Sequence, residues 1–291
     1  MKILFFGTPE FAKVSLGYLT DNNFDVAGVV TQPDKPAGRK MVLSPPPVKE
    51  YAASRGIPVY QPESVKSEEF YTLLRGIAPD IALVVAYGKI LPQNVLDFPK
   101  LGCVNVHASL LPKYRGAAPI SAAIIGGEKT TGITTIYMDE GVDTGDMILK
   151  KFTDIGEDET FGTLHDKLAQ LGGEALVETL NQIQNGTACR EKQPEEGASY
   201  AGKTDNAACE IDWTLPAKKI HDKIRGLSPV PAAYTWFGGK KLKIYKSKVA
   251  SDDIVELLEV QLEGGKRMGA GDFINGRKDI EREERVFRFA R

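Results

Sequence analysis

Residues 101–120 read LGCVNVHASLLPKYRGAAPI. An apolar run, LGCV, leads into Asn105 and His107 and then into a turn at Pro112. Alternation along a strand puts residues two apart on one face. Asn105 and His107 therefore point the same way, where the strand emerges. Two explanations fit: a satisfied polar pair in the core, or a reaction site at the carboxyl end of a sheet. The segment that follows, AAPISAAIIGG, has the small and apolar residues of a buried helix.

The same strand-then-helix order extends outward. Upstream, KILFFG reads as a buried strand and TPEFAKVSLGYLT as a helix, with Thr8 as cap and Pro9 in the first turn. DVAGVVT, IPVY and PDIALVVAYG read as further strands, and VKEYAASRG and VKSEEFYTLLRG as helices. Between them PDKPAGRKMVLSPPPVKE, rich in breakers, reads as a loop. Downstream, TGITTIYMDEGVDTGDMILKKF gives two strands around an acidic loop. TFGTLHDKLAQLGGEALVETLNQIQNG gives the longest helix, with its glycine pair as the weak point. Buried strands alternating with helices predict an α/β domain, Rossmann-like, with a largely parallel sheet over residues 1–200. KQPEEGASYAGKTDN reads as a linker, with 201–210 as its boundary. IDWTLPAKKIHDKIRGL holds one helix. The short runs PVPAAYTWFGGKKLKIYKSKV and IVELLEVQLEG predict hairpin strands of a small barrel, OB-like, over residues 211–291.

The chain of 291 residues carries a net charge of −2, so bulk charge does not mark a polyanion binder. The charge is segregated, however. Residues 206–291 hold 17 Lys and Arg against 13 Asp and Glu; residues 1–205 hold 20 against 26. GGKKLKIYKSK is the most basic run, and it reads either as a solvated lysine face or as an RNA contact. Cys103, Cys189 and Cys209 are odd in number and irregularly spaced, which argues against a disulfide framework or a CxxC metal site. No metal is expected. The apolar run at the N-terminus is too short for a signal peptide, and no run approaches membrane-spanning length. These features predict a cytoplasmic protein, expected as a monomer.

GTPEF lacks the spaced glycines of a dinucleotide loop, and no GxxxxGK[ST] is present. No serine or cysteine occupies a nucleophile elbow. That favours direct attack by a substrate's own nucleophile. An Asn amide and an imidazolium on one strand face can both donate to an oxyanion, and histidine can move a proton near neutrality. A third group should orient the ring. The loop MDEGVDTGD offers Asp139, Glu140, Asp143 and Asp146, and spacing does not choose among them. His165 and His221 lie in predicted helices as packing or surface residues.

FFGTPEFA, PDKPAGRK, VVAYGKILP, NVHASLLPKYRGAAPI, MDEGVDTGD, IDW and KRMGAGDF together resemble the folate-dependent formyltransferase family, in particular those members that act on methionyl-tRNA. The resemblance implies that 10-formyltetrahydrofolate donates a formyl group to the methionine amine of charged initiator tRNA. It implies Asn105, His107 and Asp143 as the catalytic trio and Ser109, Leu110, Leu111 and Pro112 as folate contacts. It places Arg39 on a loop that approaches the acceptor end of the tRNA. The OB-like domain would help to carry the tRNA, with Lys240, Lys241, Lys243, Lys246 and Lys248 as a basic surface on the side of the active cleft. Two departures from the pattern stand out. Asp205 and Asn206 replace an expected basic residue before IDW. YKSKVASDDIVELLEVQ runs roughly twenty residues short for the barrel, with a seam near Asp253–Ile254. Two other readings remain: a formyltransferase acting on an amino-sugar nucleotide, and a non-catalytic RNA-binding module.

Overall fold

The structure, a computed structural model, describes residues 1–37, 41–251, 254–275 and 287–289. The chain divides into two compact units: residues 1–115, 132–152 and 166–199, and residues 116–131, 153–165 and 200–291.

Seven strands form the main sheet: β1 (Lys2–Gly7), β2 (Asp25–Val30), β5 (Val59–Tyr60), β6 (Ile81–Val85), β7 (Cys103–His107), β8 (Thr130–Tyr137) and β9 (Met147–Asp154). Their order is β5-β2-β1-β6-β7-β8-β9. The pairs from β5 through β7 are parallel and β8 runs antiparallel to β7. β1 after Lys2 and all of β6 are buried, which explains their unbroken apolar sequence. The chain steps from β1 to β2 and β5 on one side, then returns to β6 on the other. A switch point therefore opens between β1 and β6, at the end of the sheet where ligands bind in such folds. There Thr8 Oγ1 and Gln32 Nε2 both donate to Tyr87 O, at 3.0 and 2.9 Å. Thr8 is thus committed to the neighbouring loop, and Pro9 takes the cap position of α1 (Glu10–Asp21) that the sequence assigned to Thr8.

The segment expected to be irregular before residue 50 contains a short hairpin, β3 (Lys35–Ala37) with β4 (Val42–Ser44). α2 (Pro47–Ser54) follows it. α3 (Glu68–Ile77) starts at Ser67, whose side chain accepts from Phe70 N. α4 (Gln93–Leu96) is a single turn, and α5 (Pro119–Gly126) starts on proline and ends at Gly127 in the left-handed region. α6 (Phe161–Gln184) runs unbroken through its glycine pair. The reason is close packing: a Cβ on Gly173 would collide with the Tyr18 ring, and one on Gly172 would press on Val106 Cγ1 at 3.3 Å. The glycines bring the helix against α1 and the sheet. That gain outweighs their roughly 1 kcal/mol propensity cost.

In the second unit α7 (Ala217–Leu227) packs Ile220, Ile224 and Leu227 against Tyr234, Leu242, Ile244 and Leu257. These belong to a five-stranded sheet of β10 (Ala233–Phe237), β11 (Lys240–Ser251), β12 (Ile254–Leu262), β13 (Met268–Gly269) and β14 (Phe287–Phe289). α8 (Ala270–Ile274) follows β13. The sheet is antiparallel except that β14 pairs with β12 in parallel. Ser251 pairs with Ile254, so β11 and β12 stay paired up to the point where the sequence looked short. Asp253 itself lies outside the described residues.

Candidate active site

Asn105 and His107 sit on β7, opposite Ile136 and Thr134 of β8. Both reach one carboxylate. Asn105 Nδ2 donates to Asp143 Oδ1 at 3.0 Å, and His107 Nδ1 lies 3.4 Å from Asp143 Oδ2. The two side chains therefore share a face, as alternation requires. His107 is 5% exposed and the Asp143 side chain 16%, so the carboxylate is more open than the ring. The other ring nitrogen, Nε2, lies 2.9 Å from Tyr114 O. A carbonyl oxygen only accepts, so Nε2–H is the donor. Both ring nitrogens thus face acceptors inside the protein, and the ring offers no second N–H to an oxyanion in this arrangement. For His107 to donate to an oxyanion alongside Asn105, the ring would have to exchange one of these two partners. The Asn105 amide carries two hydrogens, and Asp143 takes one.

Among the four acidic candidates, geometry separates the roles. Asp139 Oδ1 accepts from Gly141 N at 3.1 Å and Thr144 Oγ1 at 2.7 Å, so it closes its own loop. Asp143 has φ +55°, in the left-handed region, and this turns its side chain inward. Gly145 follows, and a Cβ there would collide with Tyr137 O.

Glu191 and residues 192–199, the latter read as linker from their composition, lie across this loop and the turn after β7. Met147 and Glu191 exchange backbone bonds at 2.8 and 3.0 Å. Gln193 Nε2 donates to Asp143 O and Gly145 O. At the far end Ser199 accepts from Tyr114 N and Arg115 N, at 2.9 and 2.8 Å. Apart from the single bridge of Glu191 to Met147 of β9, the bonds of the segment are made to loops and not to a ladder, which is why it looks irregular.

The SLLP turn is held from below. Ser109 Oγ donates to Lys113 O at 2.6 Å, and Thr134 Oγ1 donates to Ser109 O while accepting from Leu111 N. Ser109 and Leu111 are buried, and Leu111 packs on Ile136 and Met147. Leu110 and Pro112 are the half-buried members whose side chains reach the surface.

Cys103 is a core residue; burial, and then the Asp97 carboxylate, push its thiol up to about 12. Among the described residues no group of three or more His, Cys, Asp and Glu side chains could hold a metal ion, and no helix is long and apolar enough to cross a membrane. Arg39 lies outside the described residues.

In the second unit the lysines of β11 face outward. Lys240, Lys243, Lys246 and Lys248 are exposed, and Lys241 lies 4.2 Å over the Tyr234 ring. Lys243 and Lys246 are an odd number apart, yet both point outward because the strand bulges at Lys246. Lys248 pairs with Glu256 at 3.2 Å. A separate cavity of about 490 Å³ is lined by Lys203, Lys219 and Lys223, a convergence that spacing did not reveal.

His221 is buried on α7, with Nδ1 at 3.0 Å from Ser247 Oγ and Nε2 near Glu157 O and Asp158. Burial lowers its pKa below the ordinary 6.5, helped by Lys218 and Arg225 and opposed by the Glu157 carbonyl and Asp158. A histidine with a depressed native pKa binds its proton more readily when unfolded, so its contribution is full above pH 6.5 and falls as pH drops below that value. His221→Gln is expected to show a smaller fall in Tm than the parent between about pH 7.5 and about pH 5.5. Equal falls in thermal scans would contradict this.

With the geometry in place, comparison with known proteins gives the class. The formyl transferase profile matches residues 1–180 and its C-terminal domain matches residues 203–254. The chain belongs to the formyl transferase family. The methionyl-tRNA formyltransferase of Caldanaerobacter subterraneus subsp. tengcongensis is 49% identical, covering 95% of this chain and 97% of its own length. That of Clostridioides difficile is 45% identical over the same shares. The first alignment spans 299 positions, whereas 95% of 291 residues is about 276, so the relative carries about 23 positions with no counterpart here. A solved methionyl-tRNA formyltransferase from Clostridium thermocellum shares the fold at TM-score 0.61 and 19% identity, covering 90% of this chain and 98% of its own. The sugar 3N-formyl transferase WlaRD shares it at TM-score 0.67 and 21% identity, covering 90% and 91%.

Proposed function

We propose that the chain transfers the formyl group of 10-formyltetrahydrofolate to the methionine amine of methionyl-initiator tRNA, for the initiation of translation. The observation that carries this reading is the convergence of Asn105 and His107 on Asp143. It occurs in a chain 49% identical to a methionyl-tRNA formyltransferase. The folate supplies an activated formyl carbon. The neutral amine attacks it, forming the new C–N bond as the carbonyl pair moves onto oxygen; the bond to the donor nitrogen then breaks and the carbonyl reforms. The second Asn105 amide hydrogen stabilises the oxygen while it is negative. Asp143, more open than the His107 ring, takes the amine proton, and the departing folate nitrogen gains one in balance. His107, fixed between Asp143 and Tyr114 O, holds the carboxylate in place and stabilises its charge. Leu110 and Pro112 supply the apolar edge for the folate, and the buried Ser109 and Leu111 shape the turn beneath.

The tRNA is carried by Arg39 and by Lys240, Lys241, Lys243, Lys246 and Lys248, with Lys203, Lys219 and Lys223 as further candidates. Each phosphate neutralised releases counterions, steepening the salt dependence by about 0.7–0.9 per contact. Replacing the five β11 lysines with alanine is expected to weaken tRNA binding and flatten that slope. Lys248, already paired with Glu256, contributes least. An unchanged slope in filter-binding titrations would leave β11 as a solvated face. Detection of N-formylmethionyl-tRNA after incubation with both substrates tests the activity itself; absence of product under conditions where both bind would reject it.

A further inference from the structure

The group of Asn105, His107 and Asp143 depends on a loop that Asp139 closes only in part, since its Asp143 and Gly145 carbonyls are bonded from outside it. Asp143 sits at φ +55°, in the left-handed region that residues bearing a Cβ disfavour. Relaxation to negative φ would swing the carboxylate away from both partners. Gln193 opposes that relaxation. Its Nε2 uses both hydrogens on loop carbonyls, Asp143 O at 2.8 Å and Gly145 O at 2.9 Å. Its Oε1 accepts from Arg115 Nε at 3.0 Å. Arg115 is 2% exposed, an unusual state for an arginine, and its Nη2 also lies 3.8 Å from Glu195 Oε1. Because an arginine can only donate, it fixes which end of the Gln193 amide is oxygen and so aims the NH₂ at the loop.

We infer that Gln193, oriented by the buried Arg115, is a positioning residue that clamps the Asp143 loop so that one carboxylate meets both Asn105 and His107. The role rests on the reading of that trio given above. Gln193 touches no substrate in it, and its effect passes through Asp143. Arg115 immediately follows Tyr114, whose carbonyl holds His107 Nε2. The clamp therefore ties together the two chain segments that flank the histidine.

Gln193→Leu keeps the side chain's bulk and removes every hydrogen bond. It is expected to lower kcat roughly 10- to 100-fold, the scale of a small misplacement of a reacting group. KM for charged tRNA and for folate should change less than about threefold, because only positioning for the transition state is lost. Gln193→Glu keeps an acceptor for Arg115 but sets a carboxylate against two carbonyls, and should lose at least as much. It carries the same comparison if the leucine variant does not fold. The decisive measurement repeats the substitution in an Asp143→Ala background, where its further cost should fall below about twofold. If Asp143→Ala leaves kcat unchanged, the trio reading fails and the clamp falls with it. If Asp143→Ala lowers kcat but Gln193→Leu costs the same in both backgrounds, the trio stands and the positioning role is overturned. A loss confined to KM would overturn it as well.

Discussion

Asn105→Asp is expected to lower kcat by at least about 10²–10³, roughly 3–4 kcal/mol of transition-state stabilisation, while folate affinity stays near that of the parent. Asn105→Ala should fall in the same range. The aspartate is the sharper substitution because it preserves shape and reverses function. It replaces the donor with a negative charge beside the oxygen that becomes negative. It also sets a second carboxylate where Nδ2 now lies, 3.0 Å from Asp143 Oδ1. Two carboxylates at that separation do not both ionise readily, so one holds a proton. Asp143 is then impaired as the acceptor of the amine proton. A near-parental kcat for Asn105→Asp would show that no oxyanion develops against this side chain.

Gly145→Ala is expected to be as damaging by a different route. The added methyl would occupy the position of Tyr137 O, a backbone atom at the end of β8. That region has little freedom to move, because Tyr137 N donates to Asp146 O at 2.9 Å and Met138 N to Cys103 O at 2.8 Å. The loop must lift, and Asp143 lifts with it. A displacement of about 1 Å can cost around 10²-fold in rate, and forced overpacking typically destabilises by about 1–3 kcal/mol. The expected result is a kcat loss of at least 10²-fold with Tm lowered by several degrees. A variant with parental kcat would mean that the loop tolerates movement and that Asp143 need not be held where it is.

How far the sequence foretold this arrangement follows from the kind of contact involved. Asn105 and His107 were legible because strand alternation is a local rule and β7 obeys it. From spacing alone Asp143 was legible only as one of four acids, since its selection depends on a positive φ that spacing does not encode; it was the family resemblance that singled it out. Gln193 was hidden in KQPEEGASY, where proline, glycine and glutamate suggest a linker. Its hydrogen bonds reach back 50 and 78 positions, to Asp143 and Arg115. The hairpin β3–β4 was missed because breakers dominate PDKPAGRKMVLS. α6 was legible in outline, although its glycines looked like a weakness; tertiary packing against Tyr18 overrides their propensity. The alternation of lysines on β11 was readable up to the bulge at Lys246, where the two-residue period is reset.

The acceptor is what separates formylation of methionyl-tRNA from formylation of a sugar. Formyl transfer from saturating 10-formyltetrahydrofolate should be measured in parallel with methionyl-initiator tRNA and with an amino-sugar nucleotide, comparing kcat/KM. A preference for the charged tRNA of at least about 10³ is expected, more than one lost apolar contact would produce. Equal or greater efficiency with the amino-sugar nucleotide would contradict it.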